Sequence, residues 1–412
     1  MPLKNFILII LLFIRCMQPA FCQELIYNAN ESYVMHDSIV KSRWDWGGII
    51  SDYSFRHMSE FFPVAIIECP AESRVLHSLP RNYISQIKIK PQADSSQTNG
   101  SITFEKYLQS IHLSSIIILH KDTILFEKYY GMLPGELHTL QSVSKVITST
   151  LIAQLENEKK IDIIKPVETY LTELTGTDWQ GISVKNILDM KSGIEGAEVI
   201  PGTHPFTDPK NTHYQFEAAL GVVPKTAETP LSIYKYIASL KRAWKQGEKT
   251  EYNSINTFVL GWIVEKITGK KYADIVADMI WKPIGASSNA YVCISNNGSP
   301  CCNAGISTTL KDLARFGLLF TNGDIKQRKE RIISYGQINK IQQTGESGYQ
   351  WDEAEVGGGM LKTGFGGQGI YVNPQKNIVI AYFNFVNDDW KDVEMLPILK
   401  QVEKVMLEKE KY

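Results

Sequence analysis

Strand-like segments near both ends of the chain enclose a middle that has the character of helices and loops. Residues 114–119 and 123–130 are apolar and β-branched on either side of a short turn, which predicts a β-hairpin. Residues 369–372 and 378–385 repeat this pattern around a second turn. The order of these segments predicts an α+β fold, with one antiparallel sheet built from both ends of the chain. We expect helices to flank the sheet and a mainly helical region to be inserted at about residues 160–310.

The strongest helical pattern follows the predicted hairpin. In residues 143–159, the apolar side chains of Val143, Ile147, Leu151 and Leu155 recur at helical spacing and would form one face. Further helices are predicted at residues 231–240, 257–268, 310–319 and 393–407. These segments supply the helices that an α+β fold requires.

The charge balance narrows the classes of partner. The 412 residues include 43 basic and 44 acidic side chains, which gives a formal net charge of −1. No basic surface is implied, so a nucleic-acid partner is not expected. The apolar content of 43% is ample for a packed core, in one large domain or in two interleaved ones.

The beginning of the chain has the pattern of an export signal. Lys4 provides a positive charge, residues 6–14 are an unbroken apolar run, and small residues at positions 20 and 22 precede a plausible cleavage site. We therefore predict a signal peptide at 1–22 and an exported protein, either periplasmic or secreted. The apolar run is too short to span a bilayer comfortably, so no stable membrane span is expected after signal removal; a membrane anchor is the alternative.

Four cysteines lie beyond that segment: Cys69, Cys293, Cys301 and Cys302. Under oxidising conditions, Cys293 could form a disulfide with Cys301 or Cys302 and close a small loop. The chain has no CxxC pair and no His-rich spacing of the kind that binds zinc, so no metal site is predicted.

Ser142 is the candidate nucleophile. The pattern Ser-x-x-Lys occurs four times, but only Ser142 and Lys145 lie at the start of the strongest predicted helix. One helical turn separates them, so both side chains point the same way, and the positive end of the helix favours negative charge on the serine oxygen. A serine hydroxyl needs a base within hydrogen-bond reach, and a lysine can be that base. The alternative is that Ser142 caps the helix and Lys145 is a solvated charge.

Two later segments could complete such a site. Tyr252 follows a turn-rich stretch at a predicted loop-to-helix junction, from which its phenol could point into a cleft and shuttle a proton. Lys362-Thr363-Gly364 precedes a strand in a Gly-rich stretch, which permits close backbone approach to a ligand and an oxyanion-hole N–H. The alternatives are a half-buried aromatic side chain at Tyr252 and a flexible turn between strands.

A Ser–His–Asp triad is the rival chemistry. The chain has eight histidines, and none lies in a Gly-x-Ser-x-Gly setting. His138 is close to Ser142 in sequence but precedes it by four residues, in the preceding loop. A lysine and a tyrosine fill the role of the base without it, so a histidine base is not favoured.

Three motifs in this order resemble those of the serine β-lactamases and penicillin-binding proteins: Ser142-Val143-Ser144-Lys145, Tyr252-Asn253-Ser254 and Lys362-Thr363-Gly364. The class C-like branch, which includes esterases and 6-aminohexanoate-dimer (nylon-oligomer) hydrolases, is the most similar. The resemblance covers about residues 100–400 and implies the β-lactamase/transpeptidase-like fold. It divides the chain into a signal peptide (1–22), an N-terminal extension that packs on the sheet (23–100) and a serine hydrolase domain (101–412).

The resemblance also implies a role for each motif residue. Ser142 would form the acyl-enzyme, Lys145 would activate it, and Tyr252 would relay the proton to the leaving group and then activate water. The backbone N–H groups of Ser142 and Phe365 would hold the oxyanion. No metal or organic cofactor is required.

Substrate-binding residues follow from the same resemblance. Lys362, Thr363 and Gly364 occupy the positions that meet a substrate carboxylate in β-lactamases. Ser254 stands where the class C enzymes have asparagine, which favours the esterase or amidase branch. Asp208 lies in an excursion, residues 194–215, where the nylon-oligomer hydrolases place substrate-contacting residues; loop polarity is the simpler account of Asp208.

The sequence therefore predicts a hydrolase that cleaves an ester or amide bond through a covalent acyl-serine intermediate. Its partner would be a small-molecule ester, amide or peptide, and its oligomeric state stays open. One alternative is a β-lactamase or D-alanyl-D-alanine carboxypeptidase. Another, of a different class, is a catalytically silent protein that binds peptidoglycan fragments.

Overall fold

The structure is a computed structural model, and it describes residues 44–45, 47–91, 100–198, 207–322, 331–385 and 394–410. The predicted signal peptide at residues 1–22 lies outside the described residues. Part of the excursion predicted to contact substrate, residues 199–206, also lies outside them.

Helices account for much of the described chain and include every segment that was predicted helical. The α-helices are α1 (Gly48–Arg56), α2 (Met58–Phe61), α3 (Phe104–Ser110), α4 (Ser144–Asn157), α5 (Val184–Leu188), α6 (Thr212–Leu220), α7 (Ile233–Ser239), α8 (Ser254–Thr268), α9 (Tyr272–Val276), α10 (Leu310–Leu318), α11 (Tyr335–Thr344) and α12 (Leu396–Lys409). Short 3-10 turns stand at Ile84–Gln86, Gln141–Val143, Val167–Thr169, Thr172–Leu174 and Gly348–Gln350, and a π-helical turn at Ala277–Trp281.

The strands come mainly from the two ends of the chain, as predicted. They are β1 (Val64–Ile67), β2 (His77–Ser78), β3 (Lys88–Ile89), β4 (Ile102–Thr103), β5 (Ser115–His120), β6 (Thr123–Tyr129), β7 (His138–Thr139), β8 (Ala290–Cys293), β9 (Ile306–Thr308), β10 (Glu353–Ala354), β11 (Met360–Gly364), β12 (Gln368–Asn373) and β13 (Ile378–Phe383).

The central sheet joins the N-terminal and C-terminal strands. Its seven strands lie in the order β10, β11, β12, β13, β5, β6, β2, and the predicted hairpin β5–β6 pairs directly with β13. All neighbours are antiparallel except β2 and β6, which are parallel. The chain between β6 and β10 supplies most of the helices, so the sheet is completed only after the helical region has been inserted.

Side chains alternate across the central sheet and feed two cores. Ile117 and Leu119 of β5 enter the larger core, which the sheet shares with the inserted helical region. Ile116 and Ile118 enter a smaller core on the other face, which also contains side chains of α3 and α12. This period of two follows from the pleat of a strand, and it explains why β5 is apolar on both faces.

A second, four-stranded sheet holds the segment that carries Ser142. Its order is β1, β8, β9, β7, with antiparallel neighbours throughout. The N–H of Leu140, which follows β7, donates to the carbonyl of Ile306 in β9 over 2.7 Å. The N–H of Ile306 donates in turn to Oγ of Ser144 over 3.2 Å. The turn that contains Ser142 is therefore fixed on both sides by β9.

The disulfide that the sequence allowed is not formed. Cys69, Cys293, Cys301 and Cys302 are all free thiols, and the last three are buried. Burial raises the pKa of the Cys293 thiol to about 12. Within the described residues, no group of His, Cys, Asp and Glu side chains is arranged to hold a metal ion. No helix among them has the length and apolar character needed to cross a membrane.

Candidate active site

The turn before α4 presents Ser142. Residues Gln141–Val143 form a single 3-10 turn, and the α-helix begins two residues after Ser142, at Ser144. The sequence placed Ser142 at the first turn of this helix, and the structure places it in the tighter turn just outside, since helix N-termini often start with 3-10 geometry. Gln141 has φ = 46°, a left-handed conformation that is unusual for a non-glycine residue and costs free energy next to the candidate nucleophile.

Lys145 is fully buried beside Ser142. Its Nζ atom donates to Oγ of Ser142 over 2.9 Å and to the backbone carbonyl of Asn303 over 3.2 Å. The carboxylate oxygen Oε1 of Glu198 lies 4.0 Å from the same nitrogen. These contacts contradict the alternative of a solvated lysine, because the residue has an exposed fraction of 0%. Ser142 is also not a helix cap, because the N-cap residues of the 3-10 turn and of α4 are Leu140 and Val143.

Tyr252 lies between two lysines. It immediately precedes α8, whose N-cap Asn253 accepts a hydrogen bond from the N–H of Ile255 over 3.0 Å. Its phenolic oxygen accepts a hydrogen bond from Nζ of Lys362 over 3.0 Å. The centre of its ring lies 4.9 Å from Nζ of Lys145. The three predicted segments therefore meet, and Tyr252 lies between the side-chain nitrogens of Lys145 and Lys362.

Lys362 and Thr363 of β11 are bound to a carboxylate that the sequence did not single out. Lys362 has no exposed surface and forms an ion pair with Oδ1 of Asp352. The N–H and Oγ1 of Thr363 each donate to Oδ2 of Asp352 over 2.8 Å. Burial alone would lower the pKa of Lys362, but the negative charge of Asp352 and the contact with Tyr252 raise it above its ordinary value. Lys362 is therefore an ammonium at neutral pH.

Gly364 allows β11 to approach the Ser142 turn. A Cβ atom at this position would lie 2.5 Å from the carbonyl oxygen of Leu140, so only glycine fits without a backbone shift. Phe365 follows directly, and both Phe365 and Ser142 line the same cavity. Their N–H groups remain the predicted oxyanion donors, on two segments that are in close contact.

Glu198 binds the third residue of the Tyr252 motif. Its Oε1 atom accepts hydrogen bonds from the N–H of Ser254, over 2.9 Å, and from the Ser254 hydroxyl. The backbone N–H of Glu198 donates to the carbonyl of Tyr252 over 3.1 Å. Burial is the largest single effect and raises the pKa of the Glu198 carboxyl, but the charges of Lys145, His213 and Lys362 and the hydrogen bond from Ser254 together outweigh it, and the net shift is downward. Glu198 is therefore an ionised carboxylate next to the Ser142–Lys145 pair.

A cavity of about 720 Å³, part of it open to solvent, adjoins Ser142. Its wall is formed by Trp44, Asp45, Met58, Phe62, Gln141, Ser142, Glu198, His213, Glu217, Val222, Ser254, Cys293, Cys301, Asn303, Ala304, Gly305 and Phe365. Two further carboxyl groups are thus present, and burial raises the pKa of Asp45 to about 6 and that of Glu217 to about 8.

Two sequence candidates lie outside this arrangement. Asp208 is not among the described residues of the cavity wall; its Oδ1 accepts from the N–H of Lys210 over 3.0 Å in the turn before α6. His138 is buried against Phe383, with ring centres 4.6 Å apart, and its Nδ1 atom contacts the carbonyl of Thr139. Burial lowers the pKa of His138 to about 3, so it is neutral and structural.

Comparison with known proteins identifies the family to which this site belongs. A family model described as Beta-lactamase matches residues 103–396, which is most of the chain and includes all three motifs. The chain belongs to the beta-lactamase family. The resemblance on which the sequence prediction rested is therefore confirmed.

Individual relatives agree with this assignment. The 6-aminohexanoate-dimer hydrolase of Paenarthrobacter ureafaciens is 28% identical over 296 residues, 67% of this chain and 74% of that protein. A structure assigned as a 6-aminohexanoate-dimer hydrolase from Bacillus anthracis has a TM-score of 0.75 at 23% identity, over 90% of this chain and 96% of the other. A class C beta-lactamase in complex with cefoxitin has a TM-score of 0.51 at 17% identity, over 74% and 96%. The β-lactamase/transpeptidase-like α+β fold is thereby confirmed.

Three contacts of this beta-lactamase-family site were missed by the sequence analysis. They are the backbone carbonyl of Asn303 and the carboxylates of Glu198 and Asp352, which bind Lys145, Ser254 and Lys362. Glu198 lies in an irregular stretch and Asp352 in a loop ten residues before Lys362, so neither is tied to a periodic pattern. Every residue has a backbone carbonyl, so the amino-acid sequence cannot indicate which one binds Lys145. Only the fold brings these groups to the motifs.

Proposed function

We propose that this beta-lactamase-family protein is a serine hydrolase that cleaves an ester or amide bond through an acyl intermediate on Ser142. The observation that carries the proposal is the 2.9 Å hydrogen bond between Nζ of the fully buried Lys145 and Oγ of Ser142, at the wall of a cavity. A nucleophile and a base within hydrogen-bond reach form the arrangement that nucleophilic catalysis needs.

The proposed reaction assigns a role to Ser142, Lys145, Tyr252 and Phe365. The Ser142 hydroxyl attacks the carbonyl carbon and passes its proton to the unprotonated amine of Lys145. The oxygen of the tetrahedral intermediate is held by the N–H groups of Ser142 and Phe365. Tyr252 then donates a proton to the leaving group, and the acyl-enzyme forms. The resulting phenolate deprotonates a water molecule, which attacks the acyl-serine ester, and the Lys145 ammonium returns its proton to Oγ of Ser142 as the serine leaves.

Two features favour an ordinary ester or amide over a β-lactam. The Ser254 hydroxyl, which stands where class C enzymes have asparagine, is engaged by Glu198. The curated relative that spans most of the chain is a hydrolase of a 6-aminohexanoate dimer. The intact Lys362-Thr363-Gly364 motif and the structural likeness to a class C beta-lactamase support the second candidate, a β-lactamase or D-alanyl-D-alanine carboxypeptidase.

Covalent labelling tests the proposal. The protein would be treated with a fluorophosphonate probe, and its intact mass and the labelled peptide would be measured. A single adduct on Ser142 is expected, and turnover of a short-chain p-nitrophenyl ester should exceed that of a chromogenic cephalosporin. The opposite order of turnover would favour the β-lactamase candidate. Absence of both labelling and turnover would favour the catalytically silent binding protein and would refute the hydrolase.

A further inference from the structure

Three hydrogen-bond donors of β11 converge on the carboxylate of Asp352. They are Nζ of Lys362, the N–H of Thr363 and Oγ1 of Thr363. An ammonium, an amide and a hydroxyl that point to one place are the groups with which proteins bind a carboxylate from outside. Here a residue of the same chain already accepts all three, with one carboxylate oxygen for Lys362 and the other for Thr363.

The position of Asp352 is fixed by the sheet. Its N–H donates to the carbonyl of Leu361 over 3.0 Å, next to the register pair Glu353 and Leu361 of β10 and β11. The Lys362 side chain is 1% exposed, whereas that of Asp352 is 26% exposed. Solvent and ligands therefore reach the donor set from the Asp352 side, and the carboxylate stands between them and the buried ammonium.

This donor set adjoins the proposed catalytic groups. Lys362 donates to the Tyr252 phenol over 3.0 Å, and the Tyr252 ring lies 4.9 Å from Nζ of Lys145. Asp352 is not among the described residues of the cavity wall, so a substrate held by Ser142 would meet it only if the substrate is long enough to reach past Tyr252. A substrate carboxylate placed there would have to displace Asp352, leaving that negative charge without its partners, or would lie against it, and like charges in close contact oppose binding.

The described part of the cavity wall offers an anion no lysine or arginine. It instead contains the carboxylate of Glu198, whose charged neighbours keep it ionised. The histidine of the cavity wall, His213, is buried. Burial lowers its pKa and so disfavours the positively charged imidazolium. Both regions around Ser142 thus disfavour a negatively charged substrate.

We propose that Asp352 is a specificity-determining residue that occupies the anion-binding donors of β11, so that the site accepts neutral or cationic esters and amides and rejects substrates that carry a carboxylate. This inference rests on the proposed function and names its substrate class. It predicts poor use of penicillins, of cephalosporins and of the 6-aminohexanoate dimer, all of which carry a carboxylate, even though the Lys362-Thr363-Gly364 motif is intact.

Matched substrate pairs test the proposal on the wild-type protein. One pair is 3-acetoxybenzoate and 3-acetoxybenzamide, which differ in charge on the leaving group. The other is mono-p-nitrophenyl glutarate and p-nitrophenyl glutaramate, which differ in charge on the acyl group. We expect kcat/KM of the anionic member to be at least about tenfold lower in both pairs. Equal kcat/KM for the two members of either pair would overturn the proposal.

Two variants then assign the selectivity to Asp352. Asp352→Asn keeps the shape and an acceptor oxygen but removes the charge. In at least one pair, it should lower the ratio of kcat/KM for the neutral substrate to kcat/KM for the anionic one by at least about tenfold. Glu353→Gln removes an equal charge from the adjacent exposed position and should leave both ratios unchanged. Unchanged ratios in a folded Asp352→Asn variant, or an equal change in Glu353→Gln, would refute the role of Asp352. If Asp352→Asn does not fold, as judged by circular dichroism, the wild-type ratios still decide.

Failure of the hydrolase proposal would give a different result. In that case no member of either pair is hydrolysed and the fluorophosphonate probe does not label Ser142. The melting temperature with 3-acetoxybenzoate added then tests Asp352 without turnover. The inference requires that the anion stabilise Asp352→Asn and not the wild type, and stabilisation of the wild type by the same anion would overturn it.

Discussion

Oε1 of Glu198 lies 4.0 Å from Nζ of Lys145, inside the protein and next to the hydrogen bond between Lys145 and Ser142. In the proposed reaction, Lys145 becomes an ammonium when it takes the proton of Ser142. A carboxylate at this distance favours the charged form. The same carboxylate binds Ser254, the first residue of α8, so Glu198 joins the start of that helix to Lys145.

Glu198→Gln should slow acylation. The amide keeps the shape and an acceptor for the N–H of Ser254 but no longer stabilises the ammonium of Lys145. We expect the rate of fluorophosphonate labelling and kcat/KM for a p-nitrophenyl ester to fall about tenfold, which corresponds to about 1.4 kcal/mol. Glu195→Gln is the matched control, because that side chain accepts from the N–H of Lys241 instead. An acylation rate equal to that of the wild type would show that Glu198 does not assist Lys145.

Ser142→Ala should abolish turnover and labelling while the fold persists. The hydroxyl accepts one hydrogen bond from Lys145, and its loss leaves the turn held by β9. The neighbouring Ser144→Ala serves as control, because it loses a structural bond to the N–H of Ile306 but keeps the nucleophile. Circular dichroism checks folding, and intact mass checks the adduct. A Ser142→Ala protein that still hydrolyses the ester would remove the nucleophile assignment.

Tyr252→Phe should reduce kcat by at least about 100-fold, the scale on which a general acid–base group contributes. The substitution removes only the hydroxyl group of Tyr252, and Lys362 keeps its ion pair with Asp352. The measurement is steady-state kinetics with an amide substrate, whose poor leaving group depends most on protonation. Tyr236→Phe is the control, since that hydroxyl donates to the carbonyl of Thr212 instead. A loss of only a few-fold would assign the proton relay to Lys145 or water.

The sequence predicted the parts of the fold whose patterns are long and regular. The hairpin β5–β6, the helices α4 and α8 and the pairing of C-terminal strands with N-terminal ones follow from periodicity alone. The second sheet was not predicted. Its strands β7 and β9 have two and three residues, too few to display alternation, and the paired residues His138 and Thr308 are 170 positions apart in the chain.

The residues of the candidate site also fall into a predicted group and a group that was not predicted. Ser142, Lys145, Tyr252 and Lys362 could be named because each lies in a short motif at a recognisable junction of elements. Their partners could not, because Asp352 and Glu198 lie in irregular segments and reach the motifs only through tertiary packing. In our proposal the irregular segments also set the substrate class, so the reaction was easier to predict than the substrate.

Gly364→Ala should separate β11 from the Ser142 turn. The new Cβ atom would lie 2.5 Å from the carbonyl oxygen of Leu140, so one of the two segments must move. We expect a loss of stability of about 1–3 kcal/mol, as for other overpacked sites, and a larger loss of activity, because the two oxyanion donors flank this contact. In Gly131→Ala, the added Cβ meets nothing within 4 Å, so that variant should match the wild type. Wild-type kcat/KM in Gly364→Ala would show that the close approach is dispensable.

Glu217 should make the stability of the protein fall as pH rises. Burial is the main cause that raises its pKa from 4.5 to about 8, so the folded protein keeps a proton between these values that the unfolded chain has lost. The favourable contribution is complete below pH 4.5 and is lost as the pH rises through about 8, since stability decreases with pH wherever the folded state binds more protons. Glu217→Gln cannot ionise and keeps the shape that contacts Asn303.

The melting temperature of Glu217→Gln minus that of the wild type should therefore increase from pH 5 to pH 9. The other titrating groups of the cavity, Asp45, Glu198 and His213, are present in both proteins and largely cancel in this difference. Glu228→Gln, at an exposed position, should give a difference that does not change with pH. A constant difference for Glu217→Gln would mean that the carboxyl ionises equally in the folded and unfolded states, and that the cavity is more hydrated than its burial implies.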